Sequence, residues 1–306
     1  MNASLRPLLP LAIVAALAAC NRSEAPAPAA DAVPAPPAVS DTAQPAADPL
    51  ADALAGPHRS EENRARDQWR HPRETLEFFG FRPELTVLEI TPGAGWYTEI
   101  LAPALRDHGH LITAVVDPAT ADERSRDYYT RTNDNFRAWL EAGPQIYDRV
   151  TVHSFSLQEP VFGEPDSVDL VLTFRNVHNW TASGVAEGMF KGFFRVLKPG
   201  GVLGVVEHRA RPGSQAAQNE RSGYLTEDAV IALATAAGFE LAEKSEINAN
   251  PADTGDHRNG VWTLPPSLRV PEGEDPGKYR AIGESDRMTL KFVKPVPDQI
   301  KRTSMD

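Results

Sequence analysis

Two short polar clusters stand where apolar runs end. Arg175-Asn176-Val177-His178-Asn179-Trp180 follows VDLVLTF (168–174), and Glu207-His208-Arg209 closes GVLGVVEH (201–208). Unperturbed histidine titrates near pH ~6.5, so His178 is the first candidate for substrate positioning or general-base work. His208 with Glu207 is the second, and Asn176 joins them as a catalytic candidate. The same side chains could instead hydrogen-bond one another and hold their loops in place. A third stretch, VLEITPGAGWYTEILAP (87–103), sets Gly93 and Gly95 between a strand and a helix. Glycine lets a backbone approach a ligand with no Cβ in the way, and a helix N-terminus offers unpaired N–H groups. The dinucleotide spacing G-x-G-x-x-G is absent, because the loop reads T-P-G-A-G-W. Neither a G-x-S-x-G elbow nor a cysteine near the clusters supplies a nucleophile; Cys20 is the sole cysteine.

Such residues need a scaffold that gathers distant loops at one edge. Apolar runs of strand length recur as TVLEI (86–90), HLITAVV (110–116), RVTVHSF (149–155), VDLVLTF (168–174) and GVLGVVEH (201–208). Helical stretches separate them at 96–107, roughly 120–141, 182–196 and 226–237. This alternation predicts βαβ units and a parallel sheet buried on both faces. After the helix stop at Gly238, FELAEKSEI (239–247) is a sixth strand, and RMTLKFVK (287–294) alternates as a seventh. Upstream, Ser60 caps a polar helix that Pro72 interrupts, and a second short helix brings Leu76, Phe78 and Phe79 to the core. Open α/β sheets deliver ligands to the carboxyl ends of their strands, at the switch in strand order, and both polar clusters fall at such ends.

The span 248–285 is rich in Pro, Gly, Asp and Asn and too long for a plain loop, so it reads as a lid or insertion. Trp262 within it either closes over a substrate or fills an apolar seam. Asp253, Asp256 and His257 lack EF-hand or zinc spacing, and no metal site is expected there. Glu284, Asp286 and Arg287 read as an ion-paired anchor at the start of the last strand.

The 306 residues, 41% apolar and 24% charged, suffice for one principal domain. A net charge of −11 argues against general affinity for nucleic acid or anionic lipid, and a neutral or cationic small partner fits it. At the N-terminus, Arg6 precedes an apolar run from Leu8 to Ala19 that is too short to span a bilayer core of ~30 Å but suits a signal peptide. Leu17-Ala18-Ala19-Cys20 resembles the lipobox of bacterial lipoproteins, which implies cleavage before Cys20 and lipidation of that residue. Asn21 after it implies the outer membrane, on the periplasmic side. An ordinary secretory signal is the alternative. Residues 21–57, mostly Ala and Pro, read as a disordered tether, with the folded part beginning near His58.

Taken together, several motifs resemble those of the class I S-adenosylmethionine-dependent methyltransferases, whose first motif runs roughly E/D-x-G-x-G-x-G. Glu89, Gly93 and Gly95 match it, and Thr91 stands in place of the first glycine. Asp117 ends the second strand where that family keeps an acid on the ribose hydroxyls; as the residue before Pro118 it could equally be a helix N-cap. FFRVLKPGGVLGVVEH (193–208) resembles the family's helix, L-K-P-G-G turn and fifth strand. More narrowly, PGAGWYTEILAP, RNVHNW, VVEHRA and IGESDRMTLKF resemble a group of bacterial methyltransferases, some exported or lipid-anchored. The resemblance covers about two thirds of the chain. It implies a Rossmann-like, seven-stranded, mostly parallel sheet with helices on both faces. The implied cofactor is S-adenosylmethionine, held by Glu89, Thr91, Gly93, Gly95, Trp96, Asp117 and Asn176. Trp96 and Tyr97 are either core or ligand wall. After the third strand HSFSLQEP carries Ser154 and Ser156 where many relatives place an Asp beside the adenine.

Export and a cytoplasmic cofactor pull in opposite directions. One reading is an active methyltransferase on a small-molecule acceptor; the other is a lipid-anchored, non-catalytic protein that reuses the pocket for a small ligand.

Overall fold

A computed structural model describes residues 48–218 and 221–297. Cys20, the signal-like run before it and the tether as far as residue 47 lie outside the described residues. In chain order, α1 (Pro49–Ala55), α2 (Glu61–Arg64), α3 (Asp67–Arg70) and α4 (Pro72–Phe78) precede β1 (Thr86–Ile90). Next come α5 (Thr98–Leu105), β2 (His110–Val116), α6 (Glu123–Ala142), α7 (Pro144–Tyr147), β3 (Thr151–Phe155) and β4 (Val168–Phe174). The chain continues through α8 (Val177–Ala182), α9 (Ala186–Val196), β5 (Leu197–His208), α10 (Gln215–Gln218) and α11 (Glu227–Ala236). It closes on β6 (Glu240–Ser245), α12 (Pro276–Ile282) and β7 (Arg287–Val293).

The strands form one seven-stranded sheet in the order β3-β2-β1-β4-β5-β7-β6. β1 to β5 run parallel, and β7 lies antiparallel between β5 and β6. Side chains alternate across a strand, and here both faces are buried. Leu88, Ile90 and Val171 pack with α8, α9 and α11, whereas Val87, Leu170 and Leu172 pack with α1, α4 and α5. The seven-stranded, mostly parallel, Rossmann-like sheet expected from the sequence is therefore present, with helices on both faces. β5 starts earlier than expected, at Leu197. The reason is that Leu197 pairs with Val168, while Gly200 N–H and Lys294 N–H bond Lys294 O and Gly201 O, so the Pro-Gly-Gly turn is itself paired.

The expected tether ends before Pro57. Asp48 caps α1 by accepting from Ala51 N–H, Pro49 occupies the first turn, and Leu50 and Ala53 are buried against α5. An Ala- and Pro-rich composition thus conceals a docked helix. Just beyond it Arg59, fully buried, donates from Nε to Glu99 (2.8 Å) and from both Nη atoms to Asp67 (2.8 Å each). The span 248–285 carries a 3-10 turn (Gly260–Thr263) and α12. Asp253 pins its start, accepting from Tyr224 Oη, from Asp286 N–H and Gly255 N–H, and pairing with His257 Nε2 at 2.8 Å.

Leu50→Ala is expected to lower stability by about 2–3 kcal/mol, read from the urea midpoint at unchanged slope. An unchanged midpoint would mean that α1 is not part of the folded unit.

Candidate functional site

β1 and β4 are neighbours, yet their onward connections lead to opposite sides of the sheet, to β2 and to β5. The loops after them diverge and leave a cleft at the carboxyl edge. After Ile90 the chain is held by Thr91 N–H to Ala114 O (2.8 Å) and turns through positive φ at Thr91 (47°), Gly93 (63°) and Gly95 (82°). Thr91 thus takes the left-handed conformation that glycine adopts without cost, against the preference of a β-branched residue. Its Oγ1 is buried and has no hydrogen-bond partner. A Cβ on Gly93 would meet no atom within 4 Å, so the missing side chain leaves space in the cleft. At Gly95 the same atom would lie 2.7 Å from the Trp139 ring, so this glycine lets α6 close on the loop.

The cleft has two lobes sharing one wall of Thr91, Pro92, Gly93, Tyr128, Asn176 and Asn179. One, about 390 Å³, is the less polar of the two and is called the apolar lobe for the Val115, Val116, Phe136, Leu157 and Trp180 in its lining. Asn133 also lines it and donates to Val116 O (2.8 Å). The other, about 310 Å³, is polar and reaches Trp262 of the insertion. A larger groove of about 510 Å³ surrounds Arg209, but Glu227, Glu246 and Asp286 already pair with that guanidinium.

His178 and Glu207 meet at the polar lobe. Fully buried Glu207 accepts from His208 N–H at Oε1 (2.7 Å) and from His178 N–H at Oε2 (3.2 Å). Its Oε1 is also 2.9 Å from His178 Nδ1. A carboxylate acceptor assigns the proton to Nδ1 and leaves Nε2 as the basic atom for the cavity. His208 Nδ1 lies 2.6 Å from Ser285 Oγ, and its ring centroid is 5.1 Å from that of His178. Burial, then His178 and three nearby arginines, hold the His208 pKa well below the usual imidazole range, so it stays neutral at pH 7. Glu89, 2% exposed, accepts from Thr98 Oγ1 (2.7 Å). Burial pushes its pKa up to about 7, with Thr98 opposing.

Among the sequence candidates, Glu89, Thr91, Gly93, Trp96, Asn176, His178 and His208 line the polar lobe, with Glu207 behind the histidines. Asn176 Nδ2 ties the two loops together, donating to Ile90 O and Thr173 Oγ1 (3.2 Å each). Trp96 is both wall and core: 6% exposed, it donates to Asn63 O (3.1 Å) and lies under the Arg70 guanidinium at 4.5 Å. Asp117 lines neither lobe; its Oδ1 accepts from Ala119 N–H (2.9 Å), which is the N-cap alternative. Sequence reasoning missed Arg66 and Arg70 and gave Arg175 no role of its own. Arg66, Arg70 and Arg175 line the polar lobe with Glu284, and Arg287 pairs with Glu284 behind it. The expected ion-paired anchor is real but belongs to the site, and Asp286 instead holds Arg209. The available signal was Arg66 and Arg70 four apart on one short helical stretch.

No family model matches the chain, and no curated protein does. Solved structures do. A SAM-dependent methyltransferase from Aquifex aeolicus is 19% identical, with 60% of this chain and 87% of that one covered, at a TM-score of 0.45. The glycopeptide N-methyltransferase MtfA is 15% identical, with 77% and 100% covered, at 0.47. The cyclase SpnF is 16% identical, with 81% and 92% covered, at 0.48. The fold is defined by the strand order, not by these likenesses.

Because the Glu89 pKa rises from its ordinary 4.5 to about 7 on folding, the native state binds more protons in that window, and stability falls as pH rises through it. Glu89→Gln keeps the size of the side chain and removes the titration. The stability of the native chain relative to this variant is expected to drop by up to about 3 kcal/mol between pH 4.5 and 7.5 in parallel urea titrations. A pH-independent difference would place the carboxyl in water.

Proposed function

We propose that the protein is an S-adenosylmethionine-dependent methyltransferase acting on a small-molecule acceptor. The observation that carries this reading is the left-handed Thr91–Gly95 loop at the topological switch, which with Asn176 forms the wall between an apolar lobe and a polar one. The residues fit the cofactor. An open position at the Gly93 Cβ allows close backbone approach, the apolar lobe with Asn133 suits a nucleoside, and buried Glu89 faces the second lobe with one hydrogen bond to Thr98. When bound, the cofactor supplies a methyl group activated by an adjoining sulfonium. The motif resemblance of the sequence supports the same assignment.

The protein's own residues then have limited tasks. Thr91, Pro92 and Gly93 set the depth of the ligand through their backbone. Asn176 keeps the β1 and β4 loops in register. His178 Nε2 takes a proton from the acceptor where the acceptor must lose one, and Glu207 holds the ring in that tautomer. Trp262 and Val261 cover the lobe and exclude water. Asp117, at the end of β2, serves the adjoining turn.

The chain works in the bacterial envelope, anchored through a lipid on Cys20. The lipobox-like LAAC and the apolar run before it support this, and no described helix is long and apolar enough to cross a membrane. The net charge of −11 speaks for a small acceptor and against nucleic acid.

Calorimetric titration of the full chain with S-adenosylhomocysteine, the demethylated product, tests the cofactor assignment. Saturable micromolar binding is expected, weakened at least a hundredfold by Gly93→Val in a variant whose circular dichroism is unchanged. A folded chain without saturable binding, or a variant that binds normally, would refute it.

A further inference from the structure

Three guanidinium groups converge on one carboxylate beside the polar lobe, and a fourth arginine lines the same lobe. Glu284 Oε1 accepts from Arg66 Nε at 2.7 Å, and Oε2 lies 3.1 Å from Arg70 Nε and 3.3 Å from Arg287 Nη2. Arg175 joins them: its side chain lines the lobe and, among the described residues, makes no hydrogen bond or ion pair. Its backbone sits at φ 63°, an unfavourable conformation for arginine.

Glu284 cannot satisfy this set. Arg66 Nη2 and Arg70 Nη2 are buried and have no partner, although Arg70 is only 2% exposed. The Arg70 Cζ lies 4.5 Å from the centre of the Trp96 ring, a cation–π contact that helps hold the guanidinium in place. Burial, and then Arg175, push the Arg70 pKa down to about 9, as expected where positive charge exceeds its counter-charge. The other acid in the lobe, Glu89, is itself drawn towards its neutral form by burial. His178, Glu207 and His208 offer ligand atoms within 4.8 Å of one another, but this surplus of cations repels a metal ion.

A cavity with spare, oriented guanidinium donors is built for an oxyanion. The local charge therefore reverses what the net charge suggests, a neutral or cationic partner. The arginines share their lobe with His178, Ser285 and Trp262, on the far side of the Thr91–Gly93 wall from the apolar lobe. We propose that the methyl acceptor is a small acid whose carboxylate or phosphate sits on Arg66, Arg70 and Arg175, within reach of His178. This rests on the methyltransferase reading, in which the cofactor's nucleoside fills the other lobe and its remaining part reaches Glu89, leaving the arginine end of this lobe to the acceptor.

The test is titration of the full chain, saturated with S-adenosylhomocysteine in low-chloride buffer, with inorganic phosphate and separately with succinate. At least one should bind saturably at low millimolar concentration or better, and the tighter of the two names the class. Arg70→Met and Arg66→Gln should each weaken that anion at least tenfold, with S-adenosylhomocysteine affinity unchanged within threefold. Arg66, the more exposed of the two, serves where loss of Arg70 impairs folding. If neither anion binds the loaded protein, the proposal fails. If the arginine variants instead weaken S-adenosylhomocysteine by the same factor, and the anions only compete with it, the cluster belongs to the cofactor and the proposal also fails. Arginine-dependent anion binding by a chain that takes no S-adenosylhomocysteine would support the anion site and remove the methyltransferase reading.

Discussion

The buried carboxylate of Glu284 is the interaction on which the site depends. It is 3% exposed and bonds guanidinium groups from the N-terminal helices and from β7, drawing the start and end of the domain to the edge of the sheet. Burial alone would raise its pKa; the surrounding arginines outweigh that and hold it at about 2. Removing it would leave like charges facing one another away from water, the costly way to break a buried pair, at about 3–5 kcal/mol. Its capacity as an acceptor is nonetheless too small for the donors around it. The same arrangement that closes the fold leaves unspent donors at the cavity.

A second buried carboxylate, Glu207, has the opposite character. Two backbone N–H groups and the His178 ring surround it, so its acceptor capacity is used within the protein. One acid therefore fixes a base, and the other gathers cations. Both lie on or next to the β5–β7 pair, where antiparallel β7 brings Arg287 opposite His208 and Met288 opposite Glu207. The sheet register thereby keeps Glu207 and His208 beside the start of β7, next to Glu284.

The sheet was legible in the sequence because parallel strands buried on both faces leave unbroken apolar runs such as VDLVLTF, and because the polar residues after them must fall at the carboxyl edge. That reasoning put His178, Glu207 and Asn176 at the edge where the cleft lies. The α1 helix was not, since Ala and Pro dominate its surroundings and its anchor is only Leu50 with Ala53. The arginine cluster was also hidden, for Arg66 and Arg70 meet Glu284 across 218 and 214 residues, a separation no local pattern encodes. Thr91 departs from the glycine that the motif resemblance implies, yet its backbone takes a glycine-like φ of 47°. Asp117 shows the reverse case: an acid that the resemblance places on a ribose, whose carboxylate here accepts from Ala119 N–H in the local turn.

The most direct measurement is a crystal structure of the full chain grown with S-adenosylhomocysteine. The ligand is expected to lie across the Thr91–Gly93 wall, its adenosine against Val116 and Asn133, with Arg70 and Arg175 still open to the polar lobe. A ligand bound elsewhere, or a cleft left empty at saturating concentration, would contradict the central claim that this loop holds the cofactor.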